Sequence, residues 1–158
     1  MNDRTDQEIL DMLYAWTKSL VPELSAFIER LAELEPEIGP IIAEHIRDNN
    51  EMLPTVLMGD IARWVVGVAH ESDNPRLRLA PFFAELEDGW GDGQNAVSDL
   101  IAVAFVENIF DEPEVVNLLG PELFRYYRIY TGQEKVRRDE VRPMPEVVKK
   151  VLKKLGRR

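Results

Sequence analysis

Apolar side chains recur along most of this chain at spacings of three and four residues, which is the period of an α-helix. Each stripe predicts one helix with a buried face, and prolines or glycines separate successive stripes. Thr5 and Glu8 stand three residues apart before the first stripe, as in a capping box. Further helices are predicted over about 22–36, 39–46, from Pro54, from about Pro81, and over 97–109, 114–119, 122–130 and from Pro145.

The most apolar of these stripes, 97–109, has aliphatic residues on almost every side, so we expect it to be central and buried. Alternation typical of a strand is absent from the whole sequence. The pattern therefore predicts an all-α fold, an irregular bundle of about eight helices. Stacked helical hairpins are the alternative arrangement, but the sequence has no clean internal repeat to favour them.

Composition narrows the class of protein further. The chain has 158 residues, 45 % of them hydrophobic, which is enough for one domain with its own core. It has no cysteine, and this excludes disulfides, thiolate metal sites and thiol catalysis. No apolar run approaches the roughly 18 residues of a membrane span, and the acidic N-terminus does not fit a signal peptide. We expect a cytoplasmic protein with no membrane partner.

The net charge of −10 is divided unevenly along the chain. Residues 1–122 contain 7 Lys and Arg against 25 Asp and Glu, whereas residues 123–158 contain 12 against 4. This predicts an acidic helical domain over 1–131, followed over 132–158 by a polar linker and a basic amphipathic helix. Because the two charges are opposite and tethered, we expect the basic helix to pack on the same domain.

Candidate catalytic groups are few. His45 and His70 lie on different predicted helices, and neither has the converging ligands that a metal site requires. The carboxylates at 85, 87, 88 and 92 lack the spacing of a calcium loop, and the glycines at 89, 91 and 93 have acidic flanks that are unsuited to phosphate. The sequence thus predicts no catalytic residue, no cofactor and no metal.

Asp60, Arg63 and Trp64 form a polar and aromatic group on one predicted helix. Asp60 and Arg63 stand three apart beside the inward-facing Ile61, so we expect a partly buried ion pair. That pair either locks the helix to its neighbour or, with Trp64, provides a surface for a partner, since Trp and Arg are favoured interface anchors.

A second aromatic group, Tyr126, Tyr127 and Tyr130, surrounds Arg128 near the charge boundary. Aromatic and basic residues in alternation can stack the bases of single-stranded nucleic acid. The other interpretation is the edge of a core, with an arginine that extends its head group to solvent. Nucleic acid is therefore an expected partner only through the basic C-terminal region.

Several motifs between residues 45 and 121 resemble those of a family of small, uncharacterised bacterial helical proteins akin to immunity proteins of polymorphic toxin systems. They are DNNE at 48–51, LP at 53–54, MGDIARW at 58–64, DLIAVAFVENI at 99–109 and LGP at 119–121. The resemblance implies a helical fold and marks five polar or aromatic positions as candidates for partner binding. These positions are Asp60, Arg63, Trp64, Glu107 and Asn108.

Three hypotheses follow for the function. The first is a non-enzymatic protein-binding module, an immunity protein whose acidic surface occludes a basic toxin. The second is a structural or scaffold domain whose basic tail contacts nucleic acid. The third is a metal-dependent hydrolase that uses His45 or His70 with nearby carboxylates.

Overall fold

The computed structural model describes Thr5, Gln7, Glu8 and residues 22–135, and this part of the chain is helical without a strand. The all-α prediction is confirmed. Seven α-helices and one 3-10 helix lie between residues 22 and 135. They are α1 (Pro22–Leu34), α2 (Ile38–Asn49), α3 (Pro54–Glu71), α4 (Pro75–Trp90), α5 (Ala96–Ala104), the 3-10 helix Val106–Asn108, α6 (Pro113–Val116) and α7 (Pro121–Tyr130).

Prolines mark helix starts, as the sequence predicts at Pro54 and, within one residue, at Pro113 and Pro121. Several prolines stand in the first turn of a helix, where the N–H group that proline lacks would have no partner within the helix. Among them are Pro54, Pro75, Pro113 and Pro121. The capping box at the N-terminus is confirmed as well: the N–H of Thr5 donates to Glu8, and the N–H of Glu8 donates to Thr5 Oγ1 at 3.2 Å. The apolar stripe that follows it at 9–20 lies outside the described residues.

The predicted start of α4 near Pro81 is wrong. The helix begins six residues earlier, because the side chain of Asn74 accepts a hydrogen bond from the N–H of Leu77 and caps it. Pro81 then lies inside the helix, and because it has no N–H it cannot donate a hydrogen bond to the carbonyl of Leu77. Both residues are exposed, so water can satisfy that carbonyl.

The long apolar stripe at 97–109 is one helix in the prediction and two in the structure. Asn95 and Ser98 form a capping box that begins α5, and the α-helix ends at Ala104. The chain continues after α5 in the 3-10 helix, whose last residue is Asn108. The side-chain amide of Asn108 donates to the carbonyl of Ala104 at 2.7 Å. That bond supplies a partner for a carbonyl at the helix end.

Helix α5 occupies the centre of the bundle, as expected. It packs against α1, α3 and α4, and most of its side chains are buried, with Val103 the exposed exception. Helix α1 contacts both α4 and α5, which are distant in the sequence, and such contacts define a bundle rather than a stack of hairpins. Four aromatic rings meet edge-on or tilted in this core: Trp64, Phe82, Phe83 and Phe105.

Residues 136–158, which contain the predicted basic helix, lie outside the described part of the chain. Among the helices of residues 22–135, none combines the length and apolarity that crossing a membrane would require.

Candidate functional site

The five residues singled out in the sequence fall in three separate places. Asp60 and Arg63 form the expected ion pair on α3, with the Asp60 side chain partly buried and that of Arg63 76 % exposed. The other oxygen of Asp60 lies 3.8 Å from Nδ1 of His45 on α2. Because Arg63 extends into solvent, the pair orders the surface of α3 without anchoring it deeply.

His45 has a structural role that the sequence did not indicate. Its side chain is fully buried, and Nε2 accepts a hydrogen bond of 2.9 Å from the N–H of Leu53, the residue before α3. Asn49 donates to the His45 carbonyl at 2.9 Å. Burial lowers the pKa of His45, against the smaller opposing effect of Asp60 and Asp48. The neutral imidazole thus fixes the connection between α2 and α3.

His70 differs from His45 in being about half exposed. Its Nε2 lies 3.3 Å from Glu114 and 3.6 Å from Glu112. Within residues 22–135, no group of three or more histidines and carboxylates is arranged to hold a metal ion.

Trp64 belongs to a different network from Asp60. Its indole N–H donates to Glu37 at 2.9 Å, and the guanidinium of Arg78 lies 5.8 Å from its ring centroid. Arg78 in turn donates to the buried carboxylate of Glu35 at 2.8 Å. The network joins α3 and α4 to the connection between α1 and α2, so it contributes to packing between helices.

Glu107 and Asn108 lie at the 3-10 helix and serve separate contacts. Glu107 accepts a hydrogen bond of 2.6 Å from the hydroxyl of Tyr126 on α7. Asn108 approaches α3, since a Cβ added to Gly59 would lie 3.6 Å from its side-chain nitrogen. Of the five candidates, Glu107 is the one that the structure places beside exposed aromatic rings.

The sequence singled out the tyrosines of α7 among these rings, but not Phe110, which the structure places beside them. Phe110 is 50 % exposed and Tyr130 is 45 % exposed, and their ring centroids are 6.4 Å apart with the planes at 75°. Tyr126 stacks on Tyr130 at 6.5 Å, and the hydroxyl of Tyr127 donates to the carbonyl of Phe110 at 3.3 Å. We call Glu107, Phe110, Tyr126, Tyr127 and Tyr130 the aromatic surface.

Hydrogen bonds hold this surface in place. Burial, and then the hydrogen bond to Glu107, raise the pKa of the Tyr126 hydroxyl, so it remains a neutral donor under ordinary conditions. Tyr126 also packs against Trp90 at the end of α4, with the centroids 5.4 Å apart. These contacts hold the ring of Tyr126 in place.

The electrostatic surroundings of the aromatic surface are acidic. Residues 22–135 contain 8 Lys and Arg against 22 Asp and Glu. Five of the cations form ion pairs with carboxylates of the same chain, and the surplus of negative charge is left to face solvent. Asp111 is exposed directly beside Phe110, and Glu107 lies on the other side of it in the sequence. The five paired cations are Arg30, Arg63, Arg78, Arg125 and Arg128.

A shallow depression of about 170 Å³ lies between α4 and the connection from α6 to α7. Its polar groups are already engaged: Arg76 donates to the carbonyl of Asn117, and Glu87 accepts from the N–H groups of Glu122 and Leu123. Glu87 thereby caps α7, and Gly120 is required beside it because a Cβ there would overlap the Glu87 side chain. The depression therefore serves the attachment of α7.

The fold and this surface define the class of protein: an acidic, all-α domain with a small exposed aromatic surface and no assembled catalytic group among the described residues. The chain belongs to the family described as a domain of unknown function (DUF7674), which matches residues 26–133. No curated protein and no solved structure matches the chain. The description of the family states no function, so the expected kinship with immunity proteins stays a prediction.

Proposed function

We propose that this domain is a protein-binding module that uses its aromatic surface to bind a basic protein. The observation that carries the proposal is the pair of half-exposed rings, Phe110 and Tyr130, inside a strongly acidic domain. Large side chains of this kind are common anchors of protein interfaces, because they bury much apolar area at a small cost in side-chain entropy.

The rigidity of the rings supports this proposal. The bonds from Tyr126 to Glu107 and from Tyr127 to the Phe110 carbonyl tie α7 to the segment that carries Phe110. A partner that covers these rings therefore loses little free energy in ordering them. Tyr130 further offers a hydroxyl at the edge of the apolar contact, as anchors at the rim of an interface commonly do.

The charge of the domain selects the chemistry of the partner. Because most arginines of residues 22–135 are neutralised within the chain, the remaining field is negative. Such a field accelerates the approach of a basic surface and disfavours acidic ones, including nucleic acid. A toxin with a basic active-site groove, covered and inhibited by this domain, is the specific partner class that we propose.

Capture from a nuclease-treated extract of the source organism, at low salt, tests the proposal. The baits are the wild-type chain, a Phe110→Ala/Tyr130→Ala double variant, and Leu77→Ala as the matched control. Leu77 is the most exposed large apolar residue described, and it lies on α4. We expect the wild type and the control to capture a basic protein that elutes in a salt step. The double variant should not capture this protein.

The captured protein is then purified and its association rate is measured against ionic strength. The proposal predicts a rate that falls steeply as salt rises. Equal capture by all three baits, or a signal that requires nucleic acid, would contradict the proposal and direct attention to the basic C-terminal region.

A further inference from the structure

The basic C-terminal region is not explained by the fold of residues 22–135, nor is it part of the family match, which ends at 133. Its sequence predicts an amphipathic helix from Pro145, with lysines mostly opposite an aliphatic stripe. The stripe consists of Val147, Val148, Val151, Leu152 and Leu155, and the lysines are Lys149, Lys150, Lys153 and Lys154. Such a helix requires an apolar surface to cover its stripe and acidic neighbours for its charges.

The described chain ends beside the last turns of α7. After α7, the N–H groups of Gln133 and Glu134 donate to the carbonyl of Arg128, at 2.7 and 3.2 Å. The Glu134 carboxylate binds Arg125 at 2.9 Å and Arg128 at 2.8 Å. These bonds hold the chain against the last turns of α7, which carry Tyr126 and Tyr130.

Exposed apolar side chains that could receive the stripe lie on several elements of the described chain, among them Leu77 on α4 and Phe110 with Tyr130, and charge distinguishes these two sites. The outer face of α4 presents Leu77 with small neighbours, and Arg76 stands at its edge. A lysine-rich helix would be repelled there. The aromatic surface has Glu107 within it and Asp111 beside it, so it attracts the same helix.

We infer that residues 145–155 dock on the aromatic surface of their own chain, with the aliphatic stripe on Phe110 and Tyr130. The long lysine side chains at the margins of the stripe then extend towards Glu107 and Asp111. The ten residues from Lys135 to Pro145 span up to about 33 Å when extended, so the linker does not prevent this. The tether also gives the segment an effective concentration on the order of millimolar, which permits docking through a small contact.

Docking would make the C-terminal segment a competitor of the basic partner. This consequence rests on the proposed function, whereas the docking itself does not. A segment that covers the surface in about 90 % of molecules would weaken the apparent affinity for the partner about tenfold. The tail would then allow binding only by partners that displace it.

Paramagnetic relaxation in the full-length chain tests the docking. The chain has no cysteine, so Gly156→Cys places a single nitroxide directly after the stripe. We expect the label to broaden the amide signals of residues 107–111 and 126–131, and reduction of the nitroxide to restore them. Leu152→Glu in the labelled chain should restore them as well, because it puts a charge in the stripe.

Three results would overturn the inference: broadening that falls on residues 77–84, no broadening at all, or broadening that persists unchanged in Leu152→Glu. A mixture of labelled chain with isotope-enriched unlabelled chain identifies docking between two copies, which would also contradict it. Urea unfolding of Leu152→Glu checks that the variant leaves the bundle folded, so that a loss of broadening reports on docking.

The two proposals fail separately. If the label broadens the signals of the aromatic surface, but the Phe110→Ala/Tyr130→Ala variant captures the same partner as the wild type, the docking is retained and the proposed function is wrong. If a purified partner binds wild type and Leu152→Glu with the same affinity, the competition is wrong. A gain in affinity of about tenfold for Leu152→Glu would support it.

Discussion

Helices α1 and α7 both pack on α4, but they are attached to it by different means. Helix α1 inserts three apolar side chains into the core and adds the bidentate ion pair between Arg30 and the buried Glu85, with bonds of 2.7 and 2.9 Å. Helix α7 buries only Leu123 among its ten residues. Its attachment depends on the Glu87 cap and on tyrosine hydroxyls.

This difference explains why the exposed aromatic rings lie at α7. A helix that inserts its whole apolar face has little left to offer a partner, whereas α7 is fixed at its end and by its tyrosine hydroxyls. The ring of Tyr130 therefore remains half exposed. We expect changes on the α1 side to act mainly on the free energy of unfolding, and changes on the α7 side to act also on binding.

The largest expected effect lies beside α1, where Arg78 covers the Glu35 carboxylate, which is only 5 % exposed. Arg78→Met leaves that carboxylate buried without its ion-pair partner. We expect a loss of about 2–4 kcal/mol in the free energy of unfolding, measured with urea, towards the lower end because Arg78 is itself partly exposed.

Arg63→Met is the matched control for this prediction. It removes the same charge from an ion pair whose arginine is mostly exposed, and we expect a loss below about 1 kcal/mol. Equal losses from the two variants would show that burial of the carboxylate does not decide the strength of these pairs.

The next effect concerns the cap of α7. Gly120 has an ordinary φ of −71°, so alanine is allowed by the backbone there, but its Cβ would overlap the side chain of Glu87. Displacing Glu87 also weakens its bonds to the N–H groups of Glu122 and Leu123. We expect Gly120→Ala to cost about 1–3 kcal/mol in thermal or urea unfolding.

Gly67→Ala provides a comparison of opposite sign. Gly67 lies within α3, and a Cβ there has nothing within 4 Å. Because glycine is a poor helix former, we expect a gain of about 0.5–1 kcal/mol. Should both alanine variants stabilise the protein, the close approach of Glu87 to Gly120 would have no energetic importance.

The tyrosine hydroxyls of α7 give a smaller effect. Tyr126→Phe removes a 2.6 Å bond to a carboxylate in a partly buried site, which predicts a loss of about 1–2 kcal/mol in the free energy of unfolding. Tyr127→Phe removes an exposed bond of 3.3 Å and should cost less than about 0.5 kcal/mol. A reversed order would argue that the bond to Glu107 does not hold α7.

The smallest expected effect is on the pH dependence of the free energy of unfolding. It arises from His45 on α2, so it does not directly test the attachment of α1 or of α7. Because burial lowers the pKa of His45 in the folded state, the unfolded chain binds a proton first as the pH falls below its ordinary pKa of about 6.5. The stabilisation from neutral His45 is complete above that pH and is lost as the pH falls from there towards the lower folded pKa.

His45→Gln keeps an acceptor for the N–H of Leu53 but does not titrate. We expect its free energy of unfolding to change less than that of the wild type between about pH 7.5 and 5.5. Wild type measured in the same buffers is the reference. An unchanged pH dependence in His45→Gln would contradict the structural role of this imidazole.

The sequence by itself determined the all-α class, the position of most of the described helices and several contacts within them. The prolines placed the starts of α3 and α7, the capping box at Thr5 and Glu8 was correct, and Asp60 and Arg63 pair at the predicted spacing. These features depend on residues three or four positions apart, which a helix brings together wherever it lies.

Only the tertiary structure decided what those helices present to each other and to solvent. Trp64 meets Glu37 across 27 positions, Arg78 meets Glu35 across 43, and Tyr126 meets Glu107 across 19. Helical periodicity distinguishes an inner from an outer face but does not state which neighbour covers it. The exposure of Phe110 follows from where α7 lies, so the aromatic surface could not be read from the spacing of residues alone.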